Sequence, residues 1–548
     1  MKISKFTVSA VAVAVLTSAS MNASAERFTI QVDNNNKGIV KALAKKLGGD
    51  IHLDGNGFIA ASFTNKDLSQ VKGLLNNPHI KVIEVDQKRS LLSYSDLPSD
   101  STDSSNSQIT PYAVYQSQAN QLSLADANMK VCVIDSGLDS TNDKTNADFD
   151  WNNISGSNDP GGTDNWYENG GPHGTHVAGT IAAVSNDFGV VGMAPGVALH
   201  IVKVFNADGW GYSSDLAYAA QKCTEGGANI ISMSLGGGRA NSVEENAFQA
   251  FTDNGGLVVA AAGNDGNNVR SYPAGYPSVM MIGANDAANN IADFSQYPNC
   301  GKGRRRDEST CVEVTAGGVD TLSTYPADTA TVSNMTADGV IFASSAMDNL
   351  GSISGSTYHM GIADAEDGGA NGKICVIDRG TISFHDKVEN CQASGGVGAI
   401  IINNEAGMLY GTLGDYDELA IIPAVGAAFE DRAELLAAET ASVSIGTSDY
   451  GYMSGTSMAT PAVSGMAALI WSNHSSCTGT DIRNAIKETA TGLGDRVNDK
   501  FGYGIVKAAA ADAYLTTHGC AGSDGDEGGT DPEEPPVCRG GPKKCPNG

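Results

Sequence analysis

Past position 25 the chain opens with short apolar–polar alternations that give way twice to helical spacing. Arg27–Val32 predicts a strand, Gly38–Leu47 a helix, and Asp50–Leu53 with Phe58–Phe63 a hairpin around Asp54-Gly55-Asn56-Gly57. Lys66–Leu75 predicts a second helix and His79–Val85 a last strand, a βαββαβ order over residues 26–106. The Ser/Asp-rich stretch Ser93–Ser107 then reads as a linker open to proteolysis. From about residue 107 the pattern changes to Val/Ile-rich runs alternating with Ala-rich helices, through Lys130–Asp135, Leu199–Phe205, Asn229–Met233, Gly256–Ala262 and Val279–Gly283. Such runs predict an α/β domain with a mostly parallel sheet covered by helices on both faces. Its active site is expected at the carboxyl ends of the strands.

Two segments depart from this alternation. Residues 327–447 carry their own strand runs, Gly372–Gly380, Ala399–Asn404 and Ile422–Gly426, and are expected to form an inserted β-rich domain between catalytic parts 107–326 and 448–520. Asp481–Glu488 and Gly502–Tyr514 complete the second part. Residues 521–548 form an acidic Gly/Pro-rich linker and a short Cys-containing tail. No internal repeat is evident.

The chain has 548 residues, enough for several cores. Residues 1–25 hold Lys2 and Lys5, an apolar run from Phe6 to Leu16, and Ala23-Ser24-Ala25, which together predict a cleaved secretion signal. No other run is long enough for a bilayer, so an exported, extracellular protein is expected. Its ten cysteines then predict disulfides. Local spacing points to Cys300–Cys311, Cys375–Cys391 and Cys538–Cys545, and the remaining four are paired as Cys132–Cys223 and Cys477–Cys520. A formal charge of -28, from 62 acidic and 34 basic residues, argues against nucleic acid or an anionic membrane as partner.

The chemistry begins at Gly455-Thr456-Ser457-Met458-Ala459-Thr460-Pro461, a serine among small residues at the start of an apolar helical run. By itself that is an ordinary helix cap. Upstream, however, lie His173-Gly174-Thr175-His176-Val177-Ala178-Gly179-Thr180 and a buried strand ending in Asp135-Ser136-Gly137. Asp, His and Ser in this chain order, each inside a motif several residues long, resemble the subtilisin-like serine proteases. The resemblance implies a subtilisin-like three-layer fold and a serine endopeptidase in which Ser457 is the nucleophile, His173 the base and Asp135 its orienting carboxylate. His176 is expected to pack inside its helix. A metal pair is disfavoured, because the helical H-E-x-x-H arrangement is absent.

Further roles follow from the same resemblance. Asn264, after the strand Val258–Ala262, is expected to supply the oxyanion donor beside the backbone N–H of Ser457. Ser234, Leu235 and Gly236 on one side, and Gly209, Trp210 and Gly211 on the other, are expected to hold an extended substrate. Ala261, Ala262 and Gly263, with Ser271 near the base, outline a roomy pocket for a large apolar P1 residue. A structural Ca²⁺ is expected on Gln108, Asp148, Val184, Asn186, Phe188 and Val190. Residues 26–106 resemble a ferredoxin-like α+β propeptide that inhibits the enzyme and is removed by it. Residues 327–447 resemble a protease-associated (PA) domain, in which Arg379 and His385 take structural roles. Where the family carries Ala-Pro-Gly ahead of the nucleophile, this chain has Ala316-Gly317-Gly318. Protein or peptide substrates and a monomer are expected. A non-catalytic relative would have lost a triad or oxyanion residue, and none is missing. An esterase would use the same acyl transfer, but motif order and propeptide favour peptides.

Overall fold

The computed structural model describes residues 26–520 apart from 64–73, 75–76, 93–94, 98–106, 126–128, 141–145, 160–162, 164, 169, 206–208, 302–306, 415–419 and 492–499. The expected signal, most of the second propeptide helix, the acidic tail and the Cys538–Cys545 pair lie outside the described residues.

The N-terminal unit is an antiparallel sheet of β1 (Glu26–Val32), β2 (Gly49–Gly55), β3 (Phe58–Phe63) and β4 (Ile80–Val85) in the order β2-β3-β1-β4, with the helix Lys37–Lys46 after β1. Alternate residues Phe28, Ile30 and Val32 point into one core with Ile59, Ala61 and Phe63, as a half-buried sheet requires. Beyond β4 the chain leaves this unit as β5 (Lys88–Leu91) and β6 (Ser95–Leu97).

The main domain is built on seven strands, all pairing in parallel: β7 (Lys130–Asp135), β8 (Ile154–Asn158), β9 (Ala198–Lys203), β11 (Ile230–Met233), β13 (Leu257–Ala261), β14 (Val279–Asn285) and β15 (Val314–Gly317). Their order is β15-β14-β13-β11-β7-β9-β8. One apolar cluster packs the helices His173–Ala182 and Thr456–Asn473 on one face. A second packs the helices Ser213–Glu225 and Ser242–Asp253 on the other. Both sheet faces are therefore covered, which is why its strands read as unbroken apolar runs. Disulfides join Cys132–Cys223, Cys300–Cys311, Cys375–Cys391 and Cys477–Cys520.

After β16 (Thr321–Thr324) the chain departs into β17 (Ala330–Ala337), β18 (Val340–Phe342), β19 (Ser345–Ala346), β20 (Gly351–His359), β21 (Ile374–Asp378), β22 (Gly398–Ile402), β23 (Ala424–Ala427) and β24 (Thr440–Ser448). These eight form one mixed sheet with its own core. It returns as β25 (Tyr450–Ser454), which pairs antiparallel with β16 and delivers the chain to Ser457. Within this sheet Arg379 donates to the Asn403 side chain at 2.9 Å, and His385 lies near Asp386 and Glu389 on its helix.

Candidate active site

Asp135 ends β7, and its Oδ1 lies 2.8 Å from Nδ1 of His173, the first residue of the helix His173–Ala182. Both side chains are buried. With Nδ1–H committed to the carboxylate, Nε2 is the basic nitrogen of the ring. The close approach depends on Gly174, where a Cβ would stand 2.2 Å from the Gly137 carbonyl. The Gly174 N–H instead donates to Ser136 Oγ at 3.0 Å. His176 faces the other way: its Nε2 meets the Thr321 carbonyl at 2.9 Å and its ring sits edge-on to Tyr325. Complete burial lowers its pKa to about 3, so it is a neutral packing residue at ordinary pH.

Ser457 is the second residue of the helix Thr456–Asn473. Pro461 inside that helix has no N–H, which leaves the Ser457 carbonyl without its usual helical partner. The Ser234 hydroxyl donates to that carbonyl at 2.7 Å and ties the helix Thr456–Asn473 to the end of β11. Asn264 follows β13, and its Oδ1 accepts from Thr456 N at 2.9 Å and Thr456 Oγ1 at 2.8 Å. This fixes the amide so that Nδ2 donates to the carbonyl of Leu92. Ser457 Oγ lies 2.7 Å from the same Leu92 carbonyl oxygen and 3.0 Å from the Ser234 carbonyl oxygen, which share its single hydroxyl hydrogen.

Leu92 reaches this point because β5 lies between two edges of the main domain. It pairs antiparallel with β10 (Trp210–Tyr212) on one side and with β12 (Leu235–Gly236) on the other. Leu91 N donates to the Gly209 carbonyl at 3.2 Å and Leu92 N to the Ser234 carbonyl at 3.4 Å. The expected substrate-holding residues Gly209, Trp210, Gly211, Ser234, Leu235 and Gly236 thus converge on the chain's own β5. At Gly236 a Cβ would come 2.7 Å from Ser271 Oγ and 3.0 Å from Leu92 Cδ1, so glycine there leaves room for the leucine. Gly263 has φ +117°, and a Cβ would overlap Gln296 Oε1. Ala261 and Ala262 are fully buried beside it. Two carboxylates of the N-terminal unit cap helices of the main domain. Glu84 accepts from Ser242 N at 2.8 Å, and Asp86 from Ser214 N at 2.9 Å.

The expected Ca²⁺ residues also come together. The carbonyls of Val184, Phe188 and Val190 and the Asn186 Oδ1 lie 2.9, 3.3, 3.3 and 3.0 Å from one atom, Gln108 Nε2. Two N–H hydrogens cannot serve four acceptors. Asp148 closes the cluster, accepting from Asn186 Nδ2 at 2.8 Å and Val190 N at 2.7 Å. Burial raises the Asp148 carboxyl pKa, the response of an anion short of positive charge. Oxygens crowded on one amide, beside a buried carboxylate, suit a hard cation, with the Gln108 amide turned to present its oxygen.

Sequence reasoning missed Leu92, Arg89 and Glu244. Arg89 is fully buried and its guanidinium is paired with Glu244 of the helix Ser242–Asp253. In the sequence Glu244 looks like an ordinary acidic residue in a first helical turn, and nothing local marks its partner.

Residues 126–346 and 418–504 match the subtilase family, and residues 349–435 match the PA domain. Subtilisin BL of Lederbergia lenta is 38% identical over 225 residues, 40% of this chain and 77% of that protein. Subtilisin DY of Bacillus licheniformis is 36% identical over 236 residues, 42% of this chain and 80% of that protein. The crystal structure of a psychrophilic subtilisin-like protease, Apa1, from the Antarctic psychrotroph Pseudoalteromonas sp. AS-11 matches with a TM-score of 0.57 and 35% identity. That match covers 75% of this chain and 99% of the other. The chain therefore belongs to the subtilase family and is a serine endopeptidase of the subtilase type.

Proposed function

We propose that the protein is an exported endopeptidase that cleaves after large apolar residues through an acyl-enzyme on Ser457, and that it first cleaves itself. Ser457 Oγ attacks the substrate carbonyl carbon while His173 Nε2 takes its proton. Asp135 holds the ring in the required tautomer and stabilises the imidazolium. The oxyanion is met by Asn264 Nδ2 and the Ser457 N–H, each such donor contributing about 3–4 kcal/mol. His173 then protonates the departing amine, and water releases the acyl group by the same steps in reverse.

The single observation that carries this reading is the Leu92 carbonyl, held at once by Asn264 Nδ2 and Ser457 Oγ. A peptide carbonyl within hydrogen-bond reach of both the Ser457 hydroxyl and the Asn264 amide stands where a substrate's scissile carbonyl would lie, which supports reading Leu92 as the P1 residue. The first cut is accordingly assigned to the Leu92–Ser93 bond. This shortens the propeptide from the expected 26–106 to 26–92 and puts the cut at the leading end of the linker. Once severed, residues 26–92 remain as an inhibitor held by β5, Glu84 and Asp86. Gln108, Asp148, Val184, Asn186, Phe188 and Val190 would hold a Ca²⁺ whose contribution is structural, bracing the loop 184–190 against residue 108. Among the described residues no helix is long and apolar enough to cross a membrane. Export rests on the 1–25 pattern, and a monomer acting on protein substrates is retained.

Labelling the secreted protein with a fluorophosphonate, followed by mass spectrometry of the intact chain, tests the reading directly. The label is expected on Ser457 and the new amino terminus at Ser93. Ser457→Ala should abolish both labelling and processing. Processing of the purified Ser457→Ala protein by itself would overturn self-cleavage.

A further inference from the structure

Counting back from Leu92, the fourth residue before the scissile bond is Arg89, and its side chain is 0% exposed. Its Nε donates to Glu244 Oε1 at 3.0 Å, and its Nη2 to Glu244 Oε2 at 2.6 Å and to the Arg239 carbonyl at 3.0 Å. Nη1 donates to the Gly237 carbonyl at 2.8 Å and to the neighbouring Lys88 carbonyl at 3.1 Å. Every N–H of the guanidinium is thus used, and all but one of the acceptors belong to the main domain. Gly238 completes the cradle: a Cβ there would stand 2.8 Å from Nη1.

The carboxylate in this pocket is unusual for an enzyme surface facing a cleft. Glu244 is 0% exposed and held from the far side by Tyr276, whose hydroxyl donates to Oε2 at 2.5 Å. A further charge acting on it, Asp86, has the same sign and is itself paired with Arg27. Burial pushes the Glu244 carboxyl pKa up, opposed chiefly by Arg89. A buried carboxylate is tolerated when a cation with matching hydrogen bonds accompanies it, and costly when the cation is removed.

We infer that Glu244 makes the subsite for the fourth residue before the scissile bond selective for arginine, so that preferred substrates carry Arg-x-x-Leu ahead of the cut. The inference rests on the protease reading above, with Leu92 as P1. An apolar residue in this position would leave Glu244 without a cation in a site designed around a fork. A lysine brings charge but only three hydrogens on a point ammonium, and it cannot span both carboxylate oxygens and two carbonyls. Arg89 is then the propeptide's copy of the preferred substrate residue, which explains a fully buried arginine on a segment that must later leave.

The test uses the processed enzyme and four internally quenched peptides identical except at the fourth residue before a Leu: Arg, Lys, citrulline or Leu. The expected kcat/KM for Arg exceeds that for Leu and citrulline by about a hundredfold, with Lys between. In Glu244→Gln the Arg-to-citrulline ratio should fall to near one, and in Glu244→Leu the order should reverse in favour of the Leu peptide. Equal cleavage of all four peptides by the unmodified enzyme would overturn the inference and leave the protease reading standing. Failure to cut any of them, together with no fluorophosphonate label on Ser457, would remove both. The unmodified enzyme decides the matter even if a variant does not fold.

Discussion

At the scale of single residues, the site depends on groups held by neighbours that do no chemistry. Thr456 orients Asn264, and Ser234 takes the carbonyl that Pro461 cannot serve. On the proposed mechanism, Asn264→Ala removes a donor that acts on the developing oxyanion more than on bound substrate. It should lower kcat by roughly 10²–10³ with little change in KM; steady-state kinetics on a P1-Leu peptide would check this, and a kcat within threefold of wild type would refute the role. His176 yields a different expectation. Its pKa is about 3 when folded against an ordinary histidine value of about 6.5, so the unfolded chain binds a proton that the folded one refuses. Stability is therefore lost as pH falls from about 6.5 toward 3, by up to about 1.4 kcal/mol per pH unit. Urea midpoints of sulfonyl-fluoride-inhibited enzyme at pH 7 and pH 4 should differ less in His176→Asn than in wild type. An unchanged difference would mean that other groups, His200 among them, set the acid limit.

At the scale of elements, loops at the sheet's end are fixed by chains of oxygen and amide contacts. The 184–190 loop presents four oxygens to one Gln108 nitrogen and leans on Asp148. If a Ca²⁺ occupies this cluster at a hundred times its dissociation constant, it stabilises the folded state by about 2.7 kcal/mol. Differential scanning calorimetry of the inhibited enzyme should show a lower transition after chelation, restored by added Ca²⁺. Asp148→Asn should remove that dependence, and a transition indifferent to chelator in the wild-type enzyme would exclude the ion. β5 supplies the matching lesson for the cleft. Its affinity is mostly main-chain pairing to β10 and β12, which tolerates many sequences, while side-chain pockets set the choice among them.

At the scale of the whole molecule, the PA domain is attached through a narrow stem. β16 and β25 pair from Thr321↔Met453 to Thr324↔Tyr450, and Tyr325 N still donates to the Asp449 carbonyl. The two ends of the insertion therefore lie side by side, and replacing residues 326–448 with an Asn-Gly turn should preserve the stem as a hairpin. The shortened enzyme is expected to label at Ser457 and cleave short peptides. Loss of labelling in a folded product would show that the insertion shapes the site. Its return strand leads directly into the nucleophile helix, so the insertion sits where it can influence access without contributing a reacting group. The parallel α/β sheet, the PA insertion and four of the cysteine pairs were legible in the sequence, and the motifs around Asp135, His173, Asn264 and Ser457 and in the 184–190 loop carried the resemblance from which their roles were expected. Arg89 and Glu244, and the choice of Leu92 as the residue offered to Ser457, were not legible. They depend on a strand leaving one unit to lie between two edges of another, and a buried ion pair across 155 positions leaves no periodic trace. What the sequence alone determined was the fold class and the chemistry, since both reside in local pattern and residue type. What only the tertiary structure decided was that Leu92 meets Ser457 and that Arg89 meets Glu244, since both contacts follow from long-range packing and the need to pair a buried charge.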